Sequence, residues 1–474
     1  MVSEHPFWIG GKWRKSAEKV EVINPYDNRP VGVTYSASAE DIETALASAT
    51  HAFQEMRRMP AFRRGEILHQ ISEGLKARRE EIARTMTLES GKPITDARGE
   101  VLRAINTFQI ASEEAKRIEG DVLPLDLMPG SEGRVGITRR FPIGPIVGIS
   151  PFNFPLNLVA HKIAPALAAG NTILLKPAPK TPLTALLLAE IIASVGVPDG
   201  AVSVFLCGNA LAEKMVLDPR VKMLSFTGSA AVGWMLKEKA NKKRVVLELG
   251  GNAGVIIHSD ADLDYAAKRC AVGGFSYAGQ VCISVQRIFV QEQIYDRFTT
   301  LFAQQVKGLP VGDPLDEKTA MGPMIDLKAA ERAERWIEEA VSQGAKVLTG
   351  GKRSGAVLEP TVLTETTPQM QVNCQEVFAP IVTMTPYRKL EEAIAQVNQS
   401  TYGLQAGLFV RDIKEAFHAF EEIEVGGLII NDVPTYRIDH MPYGGLKESG
   451  VGREGLRYAI EEMTDLKLMA LNLK

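Results

Sequence analysis

The stretch Ile146-Val147-Gly148-Ile149-Ser150-Pro151-Phe152-Asn153-Phe154-Pro155 begins as a short β-branched apolar run and ends in a turn bracketed by two prolines. Four more runs of the same kind follow: Thr172-Ile173-Leu174-Leu175, Val202-Ser203-Val204-Phe205, Met223-Leu224-Ser225-Phe226 and Val245-Val246-Leu247-Glu248, with helical segments between them. That alternation is the rhythm of a parallel sheet with crossover helices. A second series starts at Gly254-Val255-Ile256-Ile257 and continues through Arg287-Ile288-Phe289-Val290, Ile381-Val382-Thr383-Met384, Gly407-Leu408-Phe409-Val410 and Gly427-Leu428-Ile429-Ile430. The sequence therefore predicts an α/β chain of two parallel-sheet domains. Their join falls near Gly250-Gly251, where glycine gives the backbone freedom to cross.

Ahead of the first series, residues 41–118 carry apolar side chains at three and four spacing, as in Ile67, Leu68, Ile71 and Leu75, and read as helices. Between 122 and 140, Leu123-Pro124-Leu125 and Val135-Gly136-Ile137-Thr138 flank Pro129-Gly130-Ser131, which predicts a hairpin. The tail from Thr464 to Leu473 alternates weakly and fits a last strand added to that hairpin. A chain of 474 residues with 45% hydrophobic content has material for two or three cores. Its net charge of -3 and seven scattered histidines announce no polyanion-binding surface, so nucleic acid is not an expected partner. Four cysteines, Cys207, Cys270, Cys282 and Cys374, show no metal-ligand or redox-pair spacing. No metal is expected, and a reducing cytoplasm fits best. No signal peptide, membrane span or anchor is read in the sequence.

Three motifs carry chemistry. Cys282, in Gly279-Gln280-Val281-Cys282-Ile283-Ser284, lies in a loop between a helix and a strand, where a thiol nucleophile can meet a substrate. Attack on a carbonyl carbon puts negative charge on its oxygen. The Asn153 amide and the Cys282 main-chain N–H are candidate donors to it. Glu248, at a strand end before Gly250-Gly251, is a candidate base for activating water. Each has an ordinary alternative: a small core cysteine, a turn asparagine bonded to its own chain, and a surface carboxylate. No G-x-G-x-x-G occurs; Phe226-Thr227-Gly228-Ser229 and the helix after it offer free N–H groups to a pyrophosphate or, read alone, a simple helix cap. Lys176 follows a strand end and suits an adenosine ribose or a 2′-phosphate, or is merely solvated.

These motifs, with Glu376-Val377-Phe378-Ala379-Pro380 and Pro442-Tyr443-Gly444-Gly445 followed by Lys447, Ser449 and Gly450, resemble the aldehyde dehydrogenase superfamily over nearly the whole chain. The resemblance implies Cys282 as nucleophile, Asn153 in the oxyanion hole and Glu248 as base. It implies NAD or NADP as cofactor. Glu376 and Phe378 would hold the nicotinamide riboside, and Lys176 and Ser229 the adenosine and diphosphate end. Ser150, Pro151, Phe152, Pro179, Gly228 and Gly250 would complete that site. It also implies a cofactor domain over 1–120 and 142–250, a catalytic domain over 251–445, and an oligomerisation ribbon from 121–141 and 460–474, building a homodimer or homotetramer. Many NAD-preferring relatives carry a glutamate where this chain has Pro179 in Lys176-Pro177-Ala178-Pro179-Lys180. Loss of that carboxylate removes repulsion against a 2′-phosphate, so NADP is expected to be tolerated or preferred. The segment Arg437-Ile438-Asp439-His440-Met441-Pro442 looks most like the branch holding lactaldehyde, non-phosphorylating glyceraldehyde-3-phosphate and phosphonoacetaldehyde dehydrogenases. On that reading Arg103, Arg437 and, more weakly, His161 would clamp the anionic end of a small-molecule aldehyde. The rival readings are a CoA-acylating semialdehyde dehydrogenase and a non-catalytic protein of the same fold.

Overall fold

The computed structural model describes residues 3–474. Two large sheets organise it, and both follow the runs read in the sequence. The first is eight-stranded, in the order Gly450–Val451, Arg244–Glu248, Met223–Thr227, Pro145–Ile149, Thr172–Lys176, Val202–Val204, Phe7–Ile9 and Lys12–Arg14. Its five central strands are parallel. The pairings at both margins are antiparallel. Helices cover it, among them Ala39–Met56, Ala61–Ala77, Ile94–Glu114, Asn157–Ala169 and Leu183–Ala193. Asn157–Ala169 is buried along its whole length, which is why its sequence, rich in Ala, Leu, Val and Ile, shows no polar face.

The second sheet runs Lys346–Thr349, Thr361–Thr364, Ile381–Tyr387, Val285–Gln291, Ala253–Ile257, Gln405–Phe409 and Gly427–Ile430. All its pairings are parallel except that of the first strand. A separate core fills it, built around Phe275, Phe298 and Phe302 against Ile288, Val290 and Met384. The hairpin also forms: Arg134–Pro142 pairs with Val122–Pro124 on one side and with the tail strand Thr464–Asn472 on the other.

The structure adds two things. Residues 3–35 build short strands, some of which join the first sheet. They are two to six residues long, too short for a periodic signal. The chain also returns to the first sheet after leaving the second, through Gly450–Val451 and the helix Leu456–Glu462, whose Leu456 and Ile460 lie in the first core. The ribbon strand accordingly starts at Thr464, not at residue 460.

Topology fixes where chemistry can occur. In a parallel sheet all the carboxyl ends share one edge, and the register here sets Ile149 beside Lys176, Phe226 beside Ile149 and Thr227 beside Glu248. The turn at 150–155, Lys176, Thr227–Ser229 and Glu248 therefore leave the same edge, where ligands bind in open α/β sheets. The Cys282 loop and Gly251 enter adjacent strands of the second sheet, which pair from Ala253 and Val285. They come so close that a Cβ at Gly251 would lie 2.1 Å from the Cys282 carbonyl oxygen. Only glycine permits that approach.

Candidate active site

Cys282 is presented by a strained segment. Tyr277, Ala278 and Gly279 have φ of 49°, 54° and 67°, three successive left-handed residues of which only the last is glycine. Such conformations persist where the surroundings over-determine them. Here the Tyr277 hydroxyl donates to the Ser90 carbonyl at 3.0 Å. The Gln280 side chain accepts from the Ile325 N–H at 2.8 Å and donates to the Tyr277 carbonyl at 3.2 Å. A Cβ at Gly279 would meet the Ala379 carbonyl at 2.2 Å, so the loop is also pinned from outside.

Asn153 is buried, and its Nδ2 donates to the Gln280 carbonyl at 2.9 Å. One hydrogen on Nδ2 aims the amide and leaves the second for a ligand. Its Oδ1 finds no partner among the described residues. Glu248 ends its strand fully buried, with neither carboxylate oxygen hydrogen-bonded among the described residues. Burial, reinforced by nearby Glu454, pushes its carboxyl well above the usual range, against the pull of Arg437 and Lys162. Glu454 goes the other way. Burial would raise it, but Lys162 at 3.6 Å and Arg437 at 2.8 Å outweigh that and hold it at about 2. Burial pushes the Cys282 thiol up to about 12, opposed by its contact with the Tyr443 hydroxyl at 3.1 Å. At rest this thiol carries its proton.

Two cavities meet at Cys282. One, of about 360 Å³, is lined by Pro151, Phe152, Asn153, Thr227–Ser229, Glu248, Gly250, Glu376 and Phe378. Its fittings suit a dinucleotide. Ser229 opens the helix Ala230–Ala240 without a side-chain cap, which leaves first-turn N–H groups for a pyrophosphate. Ser150 does not line the cavity; its hydroxyl is buried beside Pro151 and has no partner among the described residues. Glu376 accepts from the Gly251 N–H at 2.9 Å, and burial raises its carboxyl to about 7. A Cβ at Gly250 would stand 2.5 Å from the Glu376 carboxylate. Phe378 is left-handed at φ 46°, its ring edge-on to Phe152 at 5.9 Å. Lys176 and Pro179 do not line this cavity; Lys176 is buried beyond it and Pro179 is exposed. Lys180, beside Pro179, is bound to Asp326 at 2.5 Å, so its charge is already partnered.

The other cavity, of about 350 Å³, is lined by Arg103, Arg269 and Arg437, with Phe154, Tyr277, Tyr443 and the buried Lys92–Glu100 ion pair. Arg103 donates to Asp439 at 2.7 Å, and Asp439 also accepts from Asn157 at 3.0 Å and pairs with His161 at 2.9 Å. His161 is thus spent on holding Asp439 and lies outside the cavity lining. Arg437 is buried, bonded to Glu454 and stacked 3.6 Å from the Tyr443 ring centre, with its Nε unpartnered. Arg269 uses Nε on Asp432 at 2.6 Å and leaves its Nη groups without a partner among the described residues. Sequence reasoning missed Arg269, an ordinary arginine on an amphipathic helix, and gave no role to Tyr443, Glu454 or Lys162. Cys207 and Cys270 are buried and Cys374 half-buried. Among the described residues no cluster of metal-ligating side chains occurs and no helix is long and apolar enough to cross a membrane.

The model of the aldehyde dehydrogenase family matches residues 13–469. A 3-sulfolactaldehyde dehydrogenase of Priestia aryabhattai is 47% identical over 473 residues, covering 100% of this chain and 99% of that protein. Among solved structures, aldehyde dehydrogenase 21 of Physcomitrella patens, in complex with the reaction product succinate, superposes with TM-score 0.98 at 44% identity, covering 100% of this chain and 99% of that one. A glyceraldehyde-3-phosphate dehydrogenase of Methanocaldococcus jannaschii complexed with NADP gives TM-score 0.92 at 40% identity, covering 97% and 99%.

Proposed function

The chain belongs to the aldehyde dehydrogenase family, and on that footing we propose that it oxidises a small anionic aldehyde to its carboxylic acid, with Cys282 as nucleophile. The observation that carries the substrate class is the cavity over Cys282, whose wall holds Arg103, Arg269 and Arg437. A relative named for 3-sulfolactaldehyde and a structure holding succinate both point to an anion at the end remote from the carbonyl. Arg437 has its charge met by Glu454. Arg103 and Arg269 are likewise paired, with Asp439 and Asp432, but their side chains are far less buried than that of Arg437, so the N–H groups those pairs leave over carry most of the clamp.

Once its proton has passed to solvent water, the Cys282 sulfur attacks the carbonyl carbon, and the resulting oxyanion is received by the Asn153 Nδ2 and the Cys282 N–H. Gly228, Ser229, Glu376 and Phe378 would hold NAD(P), which when bound would supply the two-electron acceptor needed to turn that adduct into a Cys282 thioester. Glu248 then takes a proton from water, which attacks the thioester and frees the thiol. A carboxyl held away from water without hydrogen bonds is a stronger base than an ordinary glutamate, and its presence favours water over CoA as the acyl acceptor. The ribbon presents Leu466, Leu468 and Met469 to solvent. That apolar strand supports assembly into a homodimer or homotetramer. Four cysteines free of disulfides support a cytoplasmic setting.

Only the ionised form of Glu248 can act as base, so kcat rises with pH along a limb lying above the ordinary carboxylate range. Glu248→Gln abolishes that limb and lowers kcat by about 10²–10⁴-fold; an unchanged profile rejects the assignment. Arg103→Ala and Arg269→Ala each raise KM for succinate semialdehyde about tenfold or more, while kcat/KM for propanal stays near the parental value. Equal losses on both aldehydes contradict the clamp. With Pro179 exposed and no carboxylate at that position, NADP is used at least as well as NAD. A ratio of kcat/KM strongly favouring NAD overturns that reading, and the Lys180–Asp326 pair makes the missing carboxylate, rather than Lys180, its basis.

A further inference from the structure

The substrate-side cavity contains one hydroxyl in contact with the reacting sulfur. Tyr443 Oη lies 3.1 Å from Cys282 Sγ, and no other hydrogen-bond partner is found for it among the described residues. Its ring is buried and the Arg437 guanidinium sits 3.6 Å from its centre. Arg437 is held in turn by Glu454 at 2.8 Å. Tyr443 and Glu454 are tied by reciprocal main-chain bonds, with the Tyr443 N–H donating at 3.1 Å and the Glu454 N–H at 2.7 Å. Ring, cation and counter-ion therefore form one rigid unit aimed at the sulfur.

We propose that Tyr443 is a catalytic residue whose phenolic O–H donates a hydrogen bond to the Cys282 thiolate and so stabilises the charge on the sulfur. This rests on the reading of Cys282 as nucleophile. A phenol is a much better donor than a thiol, so once the sulfur is ionised the bond runs from Oη to Sγ and is charge-assisted. The cation over the ring face draws electron density from it and strengthens the donor. No proton changes hands between the two; the hydroxyl keeps its hydrogen throughout. When the sulfur bonds to carbon its negative charge is gone and the hydrogen bond weakens, so the stabilisation is confined to the thiolate. The other ionisable groups around the sulfur are Glu248, Glu376 and Arg437, and Lys162 and Glu454 stand behind them. All of them remain in a Tyr443→Phe protein, which deletes one oxygen.

The test is the rate of Cys282 alkylation by iodoacetamide, read by peptide mass mapping across pH in the full-length protein without substrate. Tyr443→Phe moves the thiol pKa up by about one unit, so alkylation at a given pH below that pKa is about three- to tenfold slower, the loss of thiolate being partly offset because the less stabilised thiolate is somewhat more nucleophilic. Replacing Tyr443 by 3-fluorotyrosine, a stronger donor of nearly the same shape, shifts the profile the opposite way and decides the matter if the phenylalanine variant folds poorly. Profiles that overlay the parental one for the folded variants overturn the proposal. They would leave the nucleophile reading intact, since that reading is tested separately, by whether activity survives loss of the Cys282 sulfur.

Discussion

Withdrawal of a carboxyl from water, and partial withdrawal of the half-buried thiol beside it, with few hydrogen bonds in exchange, is the constraint on which the site depends. Glu248 has no partner for either oxygen among the described residues, and burial is the main influence raising both it and Cys282. An unsatisfied buried polar atom costs about 1–3 kcal/mol, so such a pair persists only where packing around it is extensive. Two separate cores provide that packing, one against each sheet. The site lies where the carboxyl edge of the first sheet meets the loops entering the second. The closeness of that meeting is what makes glycine mandatory at 251, against the Cys282 carbonyl.

Charges next to the site are balanced in a graded way. Glu454 has two cations, Lys162 and Arg437, and is held ionised, whereas the neighbouring Glu248 is left as the group that gives up its charge. Two carboxyls in similar burial are thereby separated in acidity by their partners alone, so that a fixed anion stands beside a carboxyl that holds its proton more tightly. On the substrate side Asp439 plays a structural part, gathering Arg103, Asn157 and His161. It fixes the arginine relative to the helix that follows Asn153, so the positive wall and the oxyanion donor share one support.

Much of this was legible in the sequence, and for identifiable reasons. Parallel strands buried on both faces are contiguous apolar runs, so ten of them could be read directly. The hairpin was marked by Pro129-Gly130, and the weak alternation from Thr464 matched the strand that completes it. Cys282, Asn153 and Glu248 were identifiable because loops and strand ends around glycine and proline leave a signature. What escaped depends on contact rather than pattern. Arg269 looks like a surface charge until the fold brings it to the cavity wall, and Glu454 does so until it is buried behind Arg437. His161 looks like a ligand until Asp439, 278 positions away, claims it. The two-residue strand Gly450–Val451 has no period to detect, yet it brings the chain back to the first sheet beside Glu248.

The central claim is a covalent bond from substrate to sulfur, and the most direct measurement is mass mapping of Glu248→Gln protein quenched after mixing with an anionic aldehyde and NADP. With deacylation slowed, the account predicts an acyl mass on the peptide bearing Cys282 and on no other cysteine peptide. Oxidation of the aldehyde with that peptide unmodified throughout, or an acyl group on Cys207, Cys270 or Cys374 instead, would contradict it.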